Sequence, residues 1–169
     1  MSTLTYLHVL ISLVGIGSGF IVVGGLFAGQ RLNAWTAIFL ASNFATSASG
    51  FLFPSDRVLP AHAIGLVALV LLTVAAIARY AYRLFGGWRS AYVAGTVGAL
   101  YLNVFVLVVQ LFQKVPALQA LAPTQSEPVF AVTQLAVLVA FLLLGVASGR
   151  RFGESEASAL TSLLNRVAD

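Results

Sequence analysis

The sequence predicts an all-α membrane protein: a five-helix transmembrane bundle with its N-terminus outside and its C-terminus in the cytoplasm. Three observations carry the prediction. Hydrophobic residues make up 60% of the 169 and charged residues only 8%, with a mean hydropathy of +0.98, whereas soluble domains carry about 25% charged residues. The apolar residues fall in blocks of about twenty, the length that crosses a bilayer as helix. The blocks lack the strict alternation of barrel strands. The third observation is an uneven division of the basic residues between the two sides of a five-span model.

The first span covers about residues 4–28. It lacks a basic leading segment and its apolar core is too long for a signal peptide. It carries two GxxxG pairs, Gly15/Gly19 and Gly25/Gly29, which let helix backbones approach closely. Close packing inside one bundle is the preferred role for these pairs, and dimerisation the alternative. The second span, about 34–53, has the small stripe Ala41, Ala45, Ser49. The third, about 59–84, follows the turn residues Pro54, Ser55, Asp56 and Arg57. The fourth, about 91–112, opens after Gly86-Gly87-Trp88-Arg89 with the stripe Ala91, Gly95, Ala99. The fifth covers about 129–148. Between the last two, Val115, Leu118, Leu121 and Ala122 share one face of a short helix that Pro116 opens and Pro123 ends. All five spans form a single transmembrane domain, residues 1–152. A cytoplasmic amphipathic tail, 153–169, follows, with Leu160, Leu163, Leu164 and Val167 at helical spacing behind Glu154 and Glu156.

Seven basic residues, Arg31, Arg79, Arg83, Arg89, Arg150, Arg151 and Arg166, fall on one side of this model. Arg57 and Lys114 fall on the other, each with an acid in its loop (Asp56, Glu127). The positive-inside rule makes the first side cytoplasmic, and an odd number of spans is needed for such a split. Trp35, Trp88, Tyr80, Tyr82 and Tyr92 gather at the same boundary, as an aromatic belt does.

Composition also narrows the chemistry. A soluble enzyme and a disordered chain are excluded. Without cysteine there is no disulfide, thiolate metal site or cysteine nucleophile. No dense basic run exists, so nucleic acid is not an expected partner. No Asp, Glu or Lys lies deep in a span, which argues against proton-coupled transport and voltage sensing. No metalloprotease, serine-hydrolase or phosphate-loop motif is present.

Histidines and amides remain. His8 and His62 both lie at the start of spans that enter from the outer side. Ser47 and Ser49, Gln110 and Gln113, and Gln134 lie at the same depth on the second, fourth and fifth spans. Asn43 and Asn103 lie deeper. His8, Ser12, Gly15 and Gly19 form one stripe, and Gly95, Ala99, Asn103, Val106 and Gln110 another. Polar side chains in lipid should face the bundle interior. The expected ligand-binding set is therefore His8, Ser12, His62, Asn103, Gln110 and Gln134, around a polar pocket that opens outward. Two readings of the histidines stand side by side: bis-imidazole ligation of a single haem b or metal ion by His8 and His62, or hydrogen bonding to nearby serines, glutamines and carbonyls. Asn43 and Asn103 likewise either bond across helices or line a path for small neutral solutes.

In length and span count the chain is similar to the translocator protein family, but that family is rich in tryptophan along its helices, whereas here only Trp35 and Trp88 occur. A second resemblance covers about the last two thirds of the chain. The stretches Leu102-Asn103-Val104-Phe105-Val106-Leu107-Val108-Val109-Gln110, Lys114-Val115-Pro116-Ala117-Leu118, Ala122-Pro123-Thr124-Gln125-Ser126-Glu127-Pro128 and Leu59-Pro60-Ala61-His62 resemble an uncharacterised family of small multi-pass bacterial inner-membrane proteins. That resemblance implies a bacterial inner-membrane setting. The function expected is non-catalytic: binding a partner subunit or a small ligand through the outward pocket, with the bilayer and a membrane-protein partner or a homo-oligomer as the expected partners. A haem or metal redox protein and a passive solute path are the alternatives.

Overall fold

The structure is a computed structural model. It describes residues 3–52 and 60–168, with side chains through Gly153 other than that of Pro60. The 54–57 turn, the leucine stripe of the tail, Glu154, Glu156 and Arg166 lie outside the residues whose side chains are described.

Among the described residues every regular element is helical: α1 (Thr3–Phe27), α2 (Asn33–Gly50), α3 (Pro60–Ala76), α4 (Trp88–Lys114), α5 (Pro116–Leu121) and α6 (Pro128–Ala168). Four helices are long and apolar enough to cross a membrane: α1, α3 with its extension to Ala81, α4, and α6 as far as Gly153. The chain is a helical membrane protein. The second span is not among the four, because α2 is short and rich in serine, threonine and asparagine.

Short connections make neighbours antiparallel. Contacts run α1 to α2, α2 to α3, α3 to α4 and α4 back to α1, so these helices close a four-membered ring. The long helix α6 packs outside it against α4 and α1. One end of the ring holds the start of α1, the end of α2, the start of α3 and the end of α4. The opposite end, called the arginine end below, holds Arg31, Arg79, Arg83 and Arg89.

The two halves of the ring are packed differently. Val22, Leu26, Phe39, Leu72, Ala75, Tyr92, Val97 and Leu100 form one buried core, all in the half nearer the arginine end. Glycines allow it: a Cβ on Gly19 would lie 2.6 Å from Leu100 Cδ1, and one on Gly95 would lie 2.7 Å from the Leu71 carbonyl oxygen. The small-residue stripes thus serve packing within the bundle. Gly25 does the same at the turn after α1, against Leu32, while Gly17 and Gly24 face open space.

Two boundaries and one helix face differ from the sequence expectation. The third span does not stay α-helical to residue 84. It passes into a π-helical turn, Ile77–Ala81, closed by Tyr82 N–H donating to Ile77 O at 3.1 Å and Leu84 N–H to Ala78 O at 2.9 Å. Arg83 and Leu84 then take left-handed backbone angles (φ 50° and 64°), a strained arrangement for non-glycine residues. The buried Leu84 side chain holds it in place. The fifth span and the tail are not separate elements: α6 runs unbroken for 41 residues, about 60 Å at 1.5 Å per residue. The short loop helix α5 forms with Pro116 in its first turn, but its face is narrower than the periodicity implies. Ala122 is buried, whereas Val115 and Leu121 stay exposed.

Glu127 caps the loop before α6. Its Oε1 accepts from Thr124 N–H at 3.1 Å and from the Thr124 hydroxyl at 2.9 Å. Partial desolvation pushes its carboxyl up, but N–H groups of Thr124, Glu127 and Ser126 and the Thr124 hydroxyl outweigh that and hold it below the ordinary carboxylate range. A depressed carboxylate stabilises the folded loop above its unfolded pKa, and the contribution disappears as pH falls through the folded value. Melting curves from pH 7 to pH 3 are therefore expected to converge for wild type and Glu127→Gln at the acidic end. A constant gap between the two curves would disprove the cap.

Candidate functional site

The other half of the ring is hollow. A cavity of about 540 Å³ opens among α1, α2, α3 and α4, at the end opposite the arginines. This volume is in the range of small-molecule sites. Most of the wall is aliphatic, including Val9, Leu13, Ile16, Ile64, Ala68, Leu102, Val106 and Leu107. Polar groups reach it from all four helices: Thr5, His8 and Ser12 from α1, Asn43, Thr46 and Ser47 from α2, His62 from α3, and Asn103, Gln110 and Lys114 from α4.

Each polar group sits where helical spacing puts it. His8, Ser12 and Gly15 recur every three or four residues, so they share the inward face of α1. The His8 ring lies 2.8 Å from Ser49 Oγ through Nδ1. Ser49 Oγ also lies within donating distance of Thr46 O, at 3.0 Å, so the hydroxyl links the His8 ring to the α2 backbone. His62 packs on Phe51 with ring centroids 5.4 Å apart and planes 16° from parallel. Both imidazoles therefore line one cavity, each held by a neighbour on α2 or at its end. Among the described residues no group of three His, Cys, Asp or Glu forms a metal-binding cluster.

The floor of the cavity is an amide clamp. Asn103 Nδ2 donates to Asn43 Oδ1 at 2.8 Å and reaches Ser12 O at 3.5 Å, and Asn43 Nδ2 donates to Phe39 O at 2.8 Å. Three helices meet in these bonds. They meet only because residue 15 has no side chain: a Cβ there would lie 2.7 Å from Asn43 Nδ2. The amides thus bond across helices, the plainer of the two readings the sequence allowed. Asn103→Leu strands Asn43 Oδ1 without its donor and is expected to cost about 0.6–1.7 kcal/mol, the range of interhelical hydrogen bonds in membranes. Unfolding titration in mixed micelles measures it, and a loss under 0.3 kcal/mol would show that Asn43 finds another partner.

Of the six expected binding residues, five line the cavity: His8, Ser12, His62, Asn103 and Gln110. Gln134 does not. Its Nε2 donates to Phe105 O at 3.3 Å, tying α6 to the outside of α4, so the fifth span contributes to packing rather than to the pocket. Its depth was legible, but its facing was not, because α6 lies outside the ring.

One residue was missed altogether. Arg79, read as a rim arginine, is buried, with 8% of its surface exposed. Its Nη2 donates to Asn33 Oδ1 at 2.6 Å and its Nη1 to Tyr92 Oη at 3.3 Å, and its guanidinium lies 5.3 Å from the Tyr92 ring centroid. Tyr92 Oη in turn lies 3.2 Å from Thr36 Oγ1. The sequence held a clue: Tyr80, Ala81 and Tyr82 continue the span beyond Arg79. The π-turn supplies the rest, because an extra residue per turn shifts the helix face by about 100°.

No protein-family model, curated protein or solved structure matches the chain.

Proposed function

We propose that the protein is a five-span bundle of the bacterial inner membrane, N-terminus outside and C-terminus in the cytoplasm, that binds a small, largely apolar ligand in its outward-facing cavity. One observation carries the ligand reading: half of the ring is hollow where the other half is filled, and four helices aim polar groups into that hollow. Thr46 Oγ1, on the same wall, is buried and has no hydrogen-bond partner among the described residues. Such a lining suits a molecule with an apolar body and one or two hydrogen-bonding groups.

The crossing that brings the four apolar helices to five is α2, the second span. Its polar residues Thr36, Ser42 and Asn43 are buried, whereas Ala34, Ile38, Ala41, Ala45 and Ala48 are exposed. A helix that is polar inside and apolar outside is fitted to lipid rather than to water. With α2 crossing, Arg31, Arg83, Arg89, Arg150 and Arg151 share one side, which the positive-inside rule makes cytoplasmic. The chain has no cysteine, so single cysteines at Gln30 and Ser126 can be labelled with an impermeant maleimide in intact cells. Labelling at Ser126 and protection at Gln30 are expected; the reverse pattern would overturn the orientation.

The ligand reading is tested with a small apolar fluorophore carrying one amine, such as 1-aminoanthracene. Wild-type protein in micelles is expected to bind it, and Ala68→Leu, which fills the cavity from α3, to weaken binding at least tenfold. Equal binding by both proteins would place the probe elsewhere and overturn the reading. The visible spectrum of protein made with haem supply separates the redox alternative: a Soret band lost in both His8→Ala and His62→Ala would replace the ligand proposal with haem ligation.

A further inference from the structure

A second concavity lies on the outside of the ring, between α4 and α6. It holds about 520 Å³ and runs from Ser90 and Arg150 at the arginine end to Tyr101 and Leu138 at the other. Its lining between those ends is apolar, with Gly145 and Gly149 on the α6 side. The glycines keep it open: a Cβ on Gly145 would fall 3.6 Å from Val97 Cγ1, in ordinary contact, so larger side chains there would fill the space.

Its dimensions fit one leaflet. Ser90 to Tyr101 on α4 and Leu138 to Arg150 on α6 span about 17 and 18 Å at 1.5 Å per residue, against about 15 Å for half of a 30 Å hydrocarbon core. The polar end therefore falls at the headgroup level when the apolar part is in the acyl layer. At that end Arg150 and Ser90 are exposed, with Arg89 and Arg151 adjacent in sequence. Basic pockets between transmembrane helices take acidic lipid headgroups.

We propose that this groove is a binding site for an anionic phospholipid of the leaflet at the arginine end. One acyl chain lies between α4 and α6, and the phosphate meets the Arg150 guanidinium and the Ser90 hydroxyl. The site is independent of the inner cavity, since its lining shares no residue with it.

The test uses full-length protein, delipidated in mild detergent and offered phosphatidylglycerol or phosphatidylcholine with identical chains. Retained lipid is counted by native mass spectrometry. Wild type is expected to retain phosphatidylglycerol at least fivefold over phosphatidylcholine. Arg150→Gln, at an exposed position, should lose that preference while melting like wild type in phosphatidylcholine. Gly145→Leu should lose both lipids. Glu154 stands four residues after Arg150 in the sequence, so Glu154→Gln should strengthen the preference. Equal retention of the two lipids by wild type would overturn the proposal, as would an undiminished preference in Arg150→Gln. So would complete displacement of phosphatidylglycerol by inorganic phosphate, which would leave the groove without a part in binding.

Discussion

Gly95→Ala is expected to destabilise the bundle by about 2–3 kcal/mol, the upper part of the range for overpacking a core. The single added carbon has nowhere to go. It would lie 2.7 Å from the backbone oxygen of Leu71, 3.1 Å from Ala75 Cβ and 3.2 Å from Ala75 N. Two of these atoms are main chain, so no side-chain rotation relieves the contact. The helices α3 and α4 must move apart, and Leu72, Ala75 and Ala78, all fully buried, lose packing together. Each lost atom pair is worth only about 0.1–0.2 kcal/mol, but a buried side chain makes dozens of them. Gly17→Ala is the control, because nothing lies within 4 Å of a Cβ there, and alanine favours helix over glycine by about 1 kcal/mol. Both variants are compared by unfolding in mixed micelles, with Trp35 and Trp88 as reporters. A difference under 0.5 kcal/mol between them would mean that α3 and α4 are not held this closely.

The second large effect is at Arg79. Arg79→Leu is expected to cost about 2–3 kcal/mol, since hydrogen bonds to a charged group are worth about 1.5–3 kcal/mol each and part of the loss is returned by no longer burying a cation. That refund matters because of the five acids, Asp56, Glu127, Glu154, Glu156 and Asp169, only Glu127 has a described side chain, and it is engaged by Thr124 in the loop at the far end. Neutral groups alone therefore receive the described bonds of the guanidinium. Arg79→Lys keeps the charge but lacks the planar fork that serves Asn33 and Tyr92 at once, and is expected to lose about half as much. A double-mutant cycle with Tyr92→Phe should return a coupling of about 1 kcal/mol. Unfolding of Arg79→Leu indistinguishable from wild type would show that the arginine is a tolerated rim charge.

Much of this architecture can be read from residue order alone. Apolar run length locates α1, α3, α4 and α6, because lipid leaves the backbone no alternative to helix. The i, i+4 recurrence of His8 and Ser12, and the placing of Asn103 and Gln110 two turns apart, put them on the faces that line the cavity. Helical phase is set locally, and each of these helices has one polar face. Two features escaped because they depend on neighbours. Gln134 turns to α4 since α6 sits outside the ring, a matter of tertiary order. Arg79 turns inward through a π-turn, which no periodicity announces. The pocket itself was expected from the polar stripes, but its volume of about 540 Å³ was not, since space left empty is a property of assembled helices rather than of any one.

The amide clamp has a consequence for the order in which the molecule is made. Asn43 Oδ1 takes its hydrogen bond from Asn103, sixty residues later in the chain. At about 5–20 residues per second, the usual pace of synthesis, the α1–α2 hairpin exists for several seconds before that donor leaves the ribosome. During that interval Asn43 Oδ1 lacks the donor that it has in the finished fold, and the space beside Gly15 holds Asn43 without Asn103. The segment α4 is thus the one whose arrival completes the clamp and brings α1 and α2 to their final packing.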